Sequence, residues 1–238
     1  MRRSVTIRGA RRRPSPAHES RCGAGRSPSD RPRSYARTVD LDILTEKLTT
    51  YRKESDRPVV VGISGYCGSG KSTLARSLVS ALPGAVRLRG DDFLGPVRSH
   101  RRSADWDGVE RTRLVEEVLS PFRAGRPSMF QRFDWGRGEL APPEPIPTTD
   151  LLIVDLIGLF HREALPNLDV TIWCDVDLDV AATRGMARDH RLGRDHDTLW
   201  RDVWIPNERD FEKKHSPQEC GAMFYRGERL SLAQHPSA

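Results

Sequence analysis

Apolar residues along the chain fall into two alternating patterns. Residues 59–64 form a continuous apolar run, as expected of a strand covered on both faces. Residues 72–82 follow with Leu74, Leu78 and Leu82 at helical spacing, and Pro83-Gly84 ends the pattern. The alternation then repeats. A short strand is expected at 86–89, and a helix at 112–120, where Leu114/Val118 and Val115/Leu119 pair at i,i+4. A second buried strand is expected at 151–154, a third at 170–174, helices at 177–191 and 197–214, and a last strand at 223–225. Pro206 falls inside the last helix and is expected to strain it or end it early. Residues 123–150 are a Pro-rich connection expected to run over the surface. Strands alternating with helices predict an α/β fold built on a parallel, doubly wound sheet.

Composition narrows this picture. The chain has 238 residues, 37% of them apolar and 30% charged, enough for one sizeable core. Its net charge of +6 is uneven: residues 1–37 hold eleven arginines against Glu19 and Asp30, a local charge of +9, which leaves the remainder at −3. A mildly acidic body argues against a dedicated nucleic-acid-binding domain, leaving only the basic tail for that role. Residues 1–38 are rich in Arg, Ser, Pro and Gly and are expected to be a disordered basic tail ahead of a single domain at 39–238. Four readings of that tail stay open: an idle segment, a transit peptide, a basic arm, or translated sequence upstream of the true start.

No stretch approaches the ~20 apolar residues of a membrane helix, and the N-terminus lacks the apolar segment of a secretory signal. Cys22, Cys67, Cys174 and Cys220 show no metal-binding spacing and read as free thiols. The expectation is a cytoplasmic protein without membrane partners; homo-oligomerisation stays open.

The strongest chemical signal is Gly65-Tyr66-Cys67-Gly68-Ser69-Gly70-Lys71-Ser72, which fits G-x-x-x-x-G-K-[ST] directly after a strand and before a helix. The glycines let successive N–H groups curl around a phosphate, and the helix N-terminus adds its positive dipole end. The expected nucleotide-binding set is Gly65, Cys67, Gly68, Ser69, Gly70, Lys71, Ser72 and Thr73, with Lys71 on the β- and γ-phosphates and Ser72 on Mg²⁺.

Other residues select among nucleotide-dependent proteins. Asp91-Asp92 follows the 86–89 strand at the carboxyl edge of the sheet, where a carboxylate can accept the proton of an attacking hydroxyl. Asp155 ends a buried apolar strand, a position suited to holding Mg²⁺. Arg184, Arg188 and Arg191 share one helical face, with Arg194 beyond Gly193, and can neutralise charge on a transferring phosphoryl group. Phe133 and Trp135, with Trp106, are expected beside an acceptor pocket where a planar substrate could stack, with Asp92 beside it and Asp107 toward sugar hydroxyls. Trp200 and Trp204, one turn apart, read as core.

Taken together, the phosphate loop with Thr73-Leu74-Ala75, Asp91-Asp92-Phe93, Phe133-Asp134-Trp135, Asp155, and the run from Asp175-Val176-Asp177 through Arg184 and Arg188-Asp189 to Gly193-Arg194-Asp195 resembles the uridine kinase and phosphoribulokinase-like P-loop kinases across residues 57–228. The resemblance implies a five-stranded parallel P-loop core flanked by helices, with an Arg-rich helical lid. It also implies that ATP with Mg²⁺ phosphorylates a hydroxyl of a nucleoside or another small molecule. On that resemblance Asp91 is the catalytic base, Arg184 and Arg188 are lid arginines, and Asp155 stands where the family carries a Glu near the metal; Lys71 is expected, with Mg²⁺ and those arginines, to stabilise the transferred charge. This chain has Asp155-Leu156 where the family has Glu-Gly, and its Gly136-Arg137-Gly138 lacks the His-x-Arg that helps uridine kinases read a pyrimidine. A non-nucleoside acceptor and a nucleotide-binding regulator without turnover are therefore kept as alternatives.

Overall fold

The computed structural model describes residues 39–227; the basic tail expected at 1–38 and the stretch 228–238 lie outside them. Five strands form one all-parallel sheet: β1 (Val59–Ser64), β2 (Val86–Arg89), β3 (Leu151–Asp155), β4 (Val170–Cys174) and β5 (Met223–Tyr225), in the order β2-β3-β1-β4-β5. Each strand-to-strand connection passes over a face, which is why central β1 and β3 are buried along their whole length.

Side chains alternate between two cores. Val59, Val61 and Ile63 of β1 and Leu151 and Ile153 of β3 face one, under α1 (Leu41–Glu54) and α2 (Lys71–Ala81); Val60, Leu152 and Val154 face the other. Helix α1 was not expected from the sequence. Asp40 caps it by accepting the Ile43 N–H at 2.9 Å, and Leu44 and Leu48 supply its buried stripe.

The second face is covered by α3 and α5. Helix α3 runs through residues 111–123 with a wide turn at Val115–Leu119. Helix α5 runs through 197–215, and Pro206 does not end it early. Instead a wide turn, Trp200–Trp204, comes just before, with the Ile205 N–H reaching back to the Trp200 carbonyl, so the helix absorbs the bond that Pro206 cannot make. The helix expected at 177–191 is α4 (Leu178–Arg191), with the Asp177 carboxylate capping its first turn.

The 123–150 connection is more ordered than expected of a surface run. Met129–Phe130 pairs with Glu144–Pro145 and Phe133–Asp134 with Glu139–Leu140, both antiparallel. Phe130 inserts into the core and stacks on Phe93 at 6.3 Å between ring centres. No helix among the described residues is long and apolar enough to cross a membrane.

Candidate active site

The loop between β1 and α2 has the backbone its glycines allow. Gly65, Gly68 and Gly70 adopt φ of +151°, +83° and +97°. A side chain at Gly68 would also meet the Ala181 carbonyl at 2.1 Å, because the loop packs directly on α4. Helix α2 starts at Lys71 with no side-chain cap and no acidic residue in its first turn, so its N-terminal dipole faces the loop. Lys71 is 7% exposed, and its ammonium donates to the carbonyls of Gly65 and Tyr66, both at 2.8 Å. A buried cation held only by carbonyls, beside an uncapped helix start, suits a polyphosphate.

Two features hold this loop that the motif does not mention. Glu208 of α5, buried, accepts the Cys67 N–H at 2.7 Å. Burial raises the Glu208 carboxyl above its ordinary range, against the opposing charge of Lys71. Tyr66 packs edge-on against Trp173, and its hydroxyl accepts from Gln218 at 2.8 Å. Nothing in the pattern of α5 marked Glu208, since a charged residue on an amphipathic helix ordinarily faces water.

Asp155 ends β3 and is 4% exposed. Its carboxylate accepts the Ser72 hydroxyl at 2.6 Å and, from the neighbouring strand β2, Arg87 Nε at 2.6 Å and Nη2 at 2.9 Å. Those hydrogen bonds push the Arg87 guanidinium above its ordinary range despite partial burial. Ser72 and Asp155 are hard oxygen donors of the kind Mg²⁺ takes, and a carboxylate has lone pairs beyond those given to Arg87 and Ser72, so the set fits a hydrated Mg²⁺. Sequence reading did not single out Arg87; its signal was a charged residue inside a strand beside the phosphate loop.

The turn Gly90–Phe93 follows β2 immediately. A side chain at Gly90 would meet the Asp155 carbonyl at 2.4 Å, so this turn lies against the tip of β3 and carries Asp91 to the same sheet edge. Asp91 is exposed, whereas Asp92 is 2% exposed and burial raises its carboxyl above the ordinary range. Arg113 of α3 fixes the turn: it donates to the Asp92 carbonyl at 2.6 Å and to the Gln131 carbonyl at 2.9 Å, and lies over the Phe93 ring at 4.2 Å.

The Phe133–Asp134 strand packs on this turn. Phe133 and Trp135 meet edge-to-face at 4.8 Å, Trp135 being 44% exposed, and Arg132 Nη1 lies 3.6 Å from Asp92 Oδ2. Trp106 does not join them; it is 1% exposed, inside the core. Asp107 is exposed and lines an open groove with Arg98, Glu110 and Leu140.

Arg184 and Arg188 lie on α4, whose Ala181 and Gly185 touch Gly68. Both are exposed, and Arg188 donates to Asp189 at 2.9 and 3.1 Å. Asp189, 2% exposed, also accepts from Trp200 Nε1 at 2.9 Å and meets His196 Nδ1 at 3.2 Å. Burial opposes its charge, but these hydrogen bonds still hold its carboxyl below the ordinary range. Trp200 is core, as its spacing predicts. Burial pushes the Cys67 thiol up, with the Glu208 charge adding to it.

Residues 60–222 match the model of the Phosphoribulokinase / Uridine kinase family. A uridine kinase of Saccharomyces cerevisiae is 27% identical over 192 residues, which cover 74% of this chain and 38% of the yeast protein; the chain thus spans well under half of that relative. Among solved structures, one described as a possible uridine kinase from Bacillus stearothermophilus superposes with a TM-score of 0.61 at 14% identity, covering 78% of this chain and 96% of its own. A provisionally named fructose transport system kinase from Silicibacter sp. TM1040 also gives 0.61, at 21% identity, covering 74% of this chain and 95% of its own. At these identities the two structures speak for the fold alone.

Proposed function

The chain belongs to the Phosphoribulokinase / Uridine kinase family, and from that premise we propose that it is a phosphotransferase moving the γ-phosphoryl group of ATP to a hydroxyl of a small molecule, with a nucleoside as the acceptor. The observation that carries this reading is the placement of the exposed Asp91 carboxylate at the sheet edge that also bears Lys71, Ser72 and Asp155.

The loop N–H groups and the start of α2 bind the triphosphate, and Lys71 exchanges its bonds to the Gly65 and Tyr66 carbonyls for phosphate oxygens. Asp91 orients the acceptor hydroxyl and takes its proton as the oxygen attacks in line. Arg184 and Arg188, on the helix packed against the loop, act as lid arginines that stabilise charge gathering on the transferred group. Ser72 and Asp155 would hold Mg²⁺, which supplies neutralisation of the β- and γ-oxygens when bound. Phe133 and Trp135 offer the aromatic edge a planar base can stack on, with Arg132 and Asp92 beside it.

A non-nucleoside acceptor is the second reading, favoured by Gly136-Arg137-Gly138 standing where a pyrimidine-reading His-x-Arg would be. Transfer of labelled γ-phosphate onto a panel of pyrimidine and purine nucleosides, pantothenate and sugar phosphates tests both. A labelled nucleoside supports the first reading and a labelled non-nucleoside replaces it with the second. No labelled acceptor, with ATP still bound, overturns both.

A further inference from the structure

Asp105, His161 and His215 come from three separate segments: the loop ahead of Trp106, the loop after β3, and the last turn of α5. One possible ligand atom from each lies within 4.8 Å of the others, the only such trio among the described residues. His215 Nε2 meets Asp105 Oδ1 at 2.5 Å, and Lys214 Nζ holds the other oxygen, Oδ2, at 2.5 Å, which turns Oδ1 toward the imidazoles. The rings of His161 and His215 lie edge-to-face with centres 4.8 Å apart. His161 is 5% exposed.

Two details exceed what a His–Asp–Lys ion cluster requires. Among the described residues, the only non-glycine positions with a left-handed backbone are Trp106, at φ +51°, and Ser216, at φ +43°. They immediately follow Asp105 and His215. Ser216 ends α5 in the left-handed conformation common after a helix, whereas Trp106, a bulky residue outside a helix end, is held there by its buried surroundings. The second detail is the backbone of Glu163, whose N–H donates to His161 Nδ1 at 3.4 Å. That contact fixes the orientation of the ring beside His215.

We propose that Asp105, His161 and His215 form a binding site for a divalent transition ion of the Zn²⁺ class, separate from the nucleotide site. Two imidazoles and one carboxylate suit such ions and leave positions open to water. The ion takes Asp105 Oδ1 and His215 Nε2, and the hydrogen now between them moves to His215 Nδ1 or to solvent. Lys214 stays on Oδ2 as a supporting contact. Lys214 and Arg111, whose Nη2 donates to the Asp105 carbonyl at 2.7 Å, bring positive charge close and set the affinity below that of a dedicated structural zinc site. Bound there, the ion ties the end of α5 to the loop after β3, independently of the kinase reading.

The test uses tag-free, full-length protein stripped with chelator and held in excess Mg²⁺, which competes for the oxygen-rich nucleotide site. Titration with Co²⁺ is expected to give visible d–d bands saturating at one equivalent and displaced by Zn²⁺. His161→Gln and His215→Gln are expected to weaken binding more than about a hundredfold, whereas His100→Gln leaves it unchanged. ¹⁵N spectra of the wild-type histidine side chains decide the matter even where a variant does not fold: Zn²⁺ should shift the nitrogens of His161 and His215 and no others. Absence of Co²⁺ bands, bands that survive both substitutions, or Zn²⁺ shifts confined to other histidines would overturn the proposal.

Discussion

Arg87 on β2 holds both carboxylate oxygens of Asp155 on β3, at 2.6 and 2.9 Å, while Ser72 of the phosphate loop reaches the same group at 2.6 Å. The pair joins β2 to the tip of β3 and fixes the orientation of the Asp155 carboxylate beside the loop. Arg87→Ala leaves a buried carboxylate without its cation and should cost about 3 kcal/mol. The double variant Arg87→Ala/Asp155→Ala should recover part of that loss, as a denaturant-based double-mutant cycle would read it. Additive losses would mean the pair is not coupled.

Arg184 is exposed and has no ion pair among the described residues, so Arg184→Ala should leave the melting temperature unchanged. Its expected effect is kinetic: a fall of roughly 10²–10³ in kcat, with KM for ATP nearly constant. The reverse pattern, a raised KM with kcat intact, would remove Arg184 from the transition state.

Glu208 is buried beside Lys71 with its carboxyl raised, so the folded state binds its proton more tightly than the unfolded chain does. Stability from this group is therefore present below the ordinary carboxylate range and is lost as pH rises through the raised value. Glu208→Gln still accepts the Cys67 N–H but carries no charge. It should melt higher than wild type at neutral pH, with the gap closing toward pH 4, and should lower KM for ATP. A gap independent of pH would contradict this.

Gly68→Ala puts a methyl group against the Ala181 carbonyl at a φ of +83°. The loop must shift, and kcat/KM for ATP should fall roughly a hundredfold while the circular-dichroism spectrum stays that of the wild type. Unchanged kcat/KM would show that the loop tolerates the shift.

Much of the fold was legible because its signals are local. The unbroken apolar runs at 59–64 and 151–154 mark central strands, and the spaced glycines mark the phosphate loop. Helix α1 escaped notice because its buried stripe is only Leu44 and Leu48 amid charged residues. Of the two outcomes expected of Pro206, the early end does not occur; the helix is distorted instead, by a wide turn one step earlier that no residue-by-residue propensity reports. In the site, Lys71, Ser72, Asp91 and Asp155 carry sequence signatures. Arg87, Arg113 and Glu208 act across the fold, on partners 68, 21 and 141 residues away, so their roles exist only once the chain is packed.

The most direct measurement of the central claim is γ-phosphoryl transfer by wild type and Asp91→Asn side by side, with ATP binding measured on both. A phosphorylated acceptor is expected from wild type, with a loss of about 10²–10⁴ in kcat in the variant and equal ATP affinity. Asp91→Asn turning over at the wild-type rate, or wild type that binds ATP yet phosphorylates no acceptor, would contradict it.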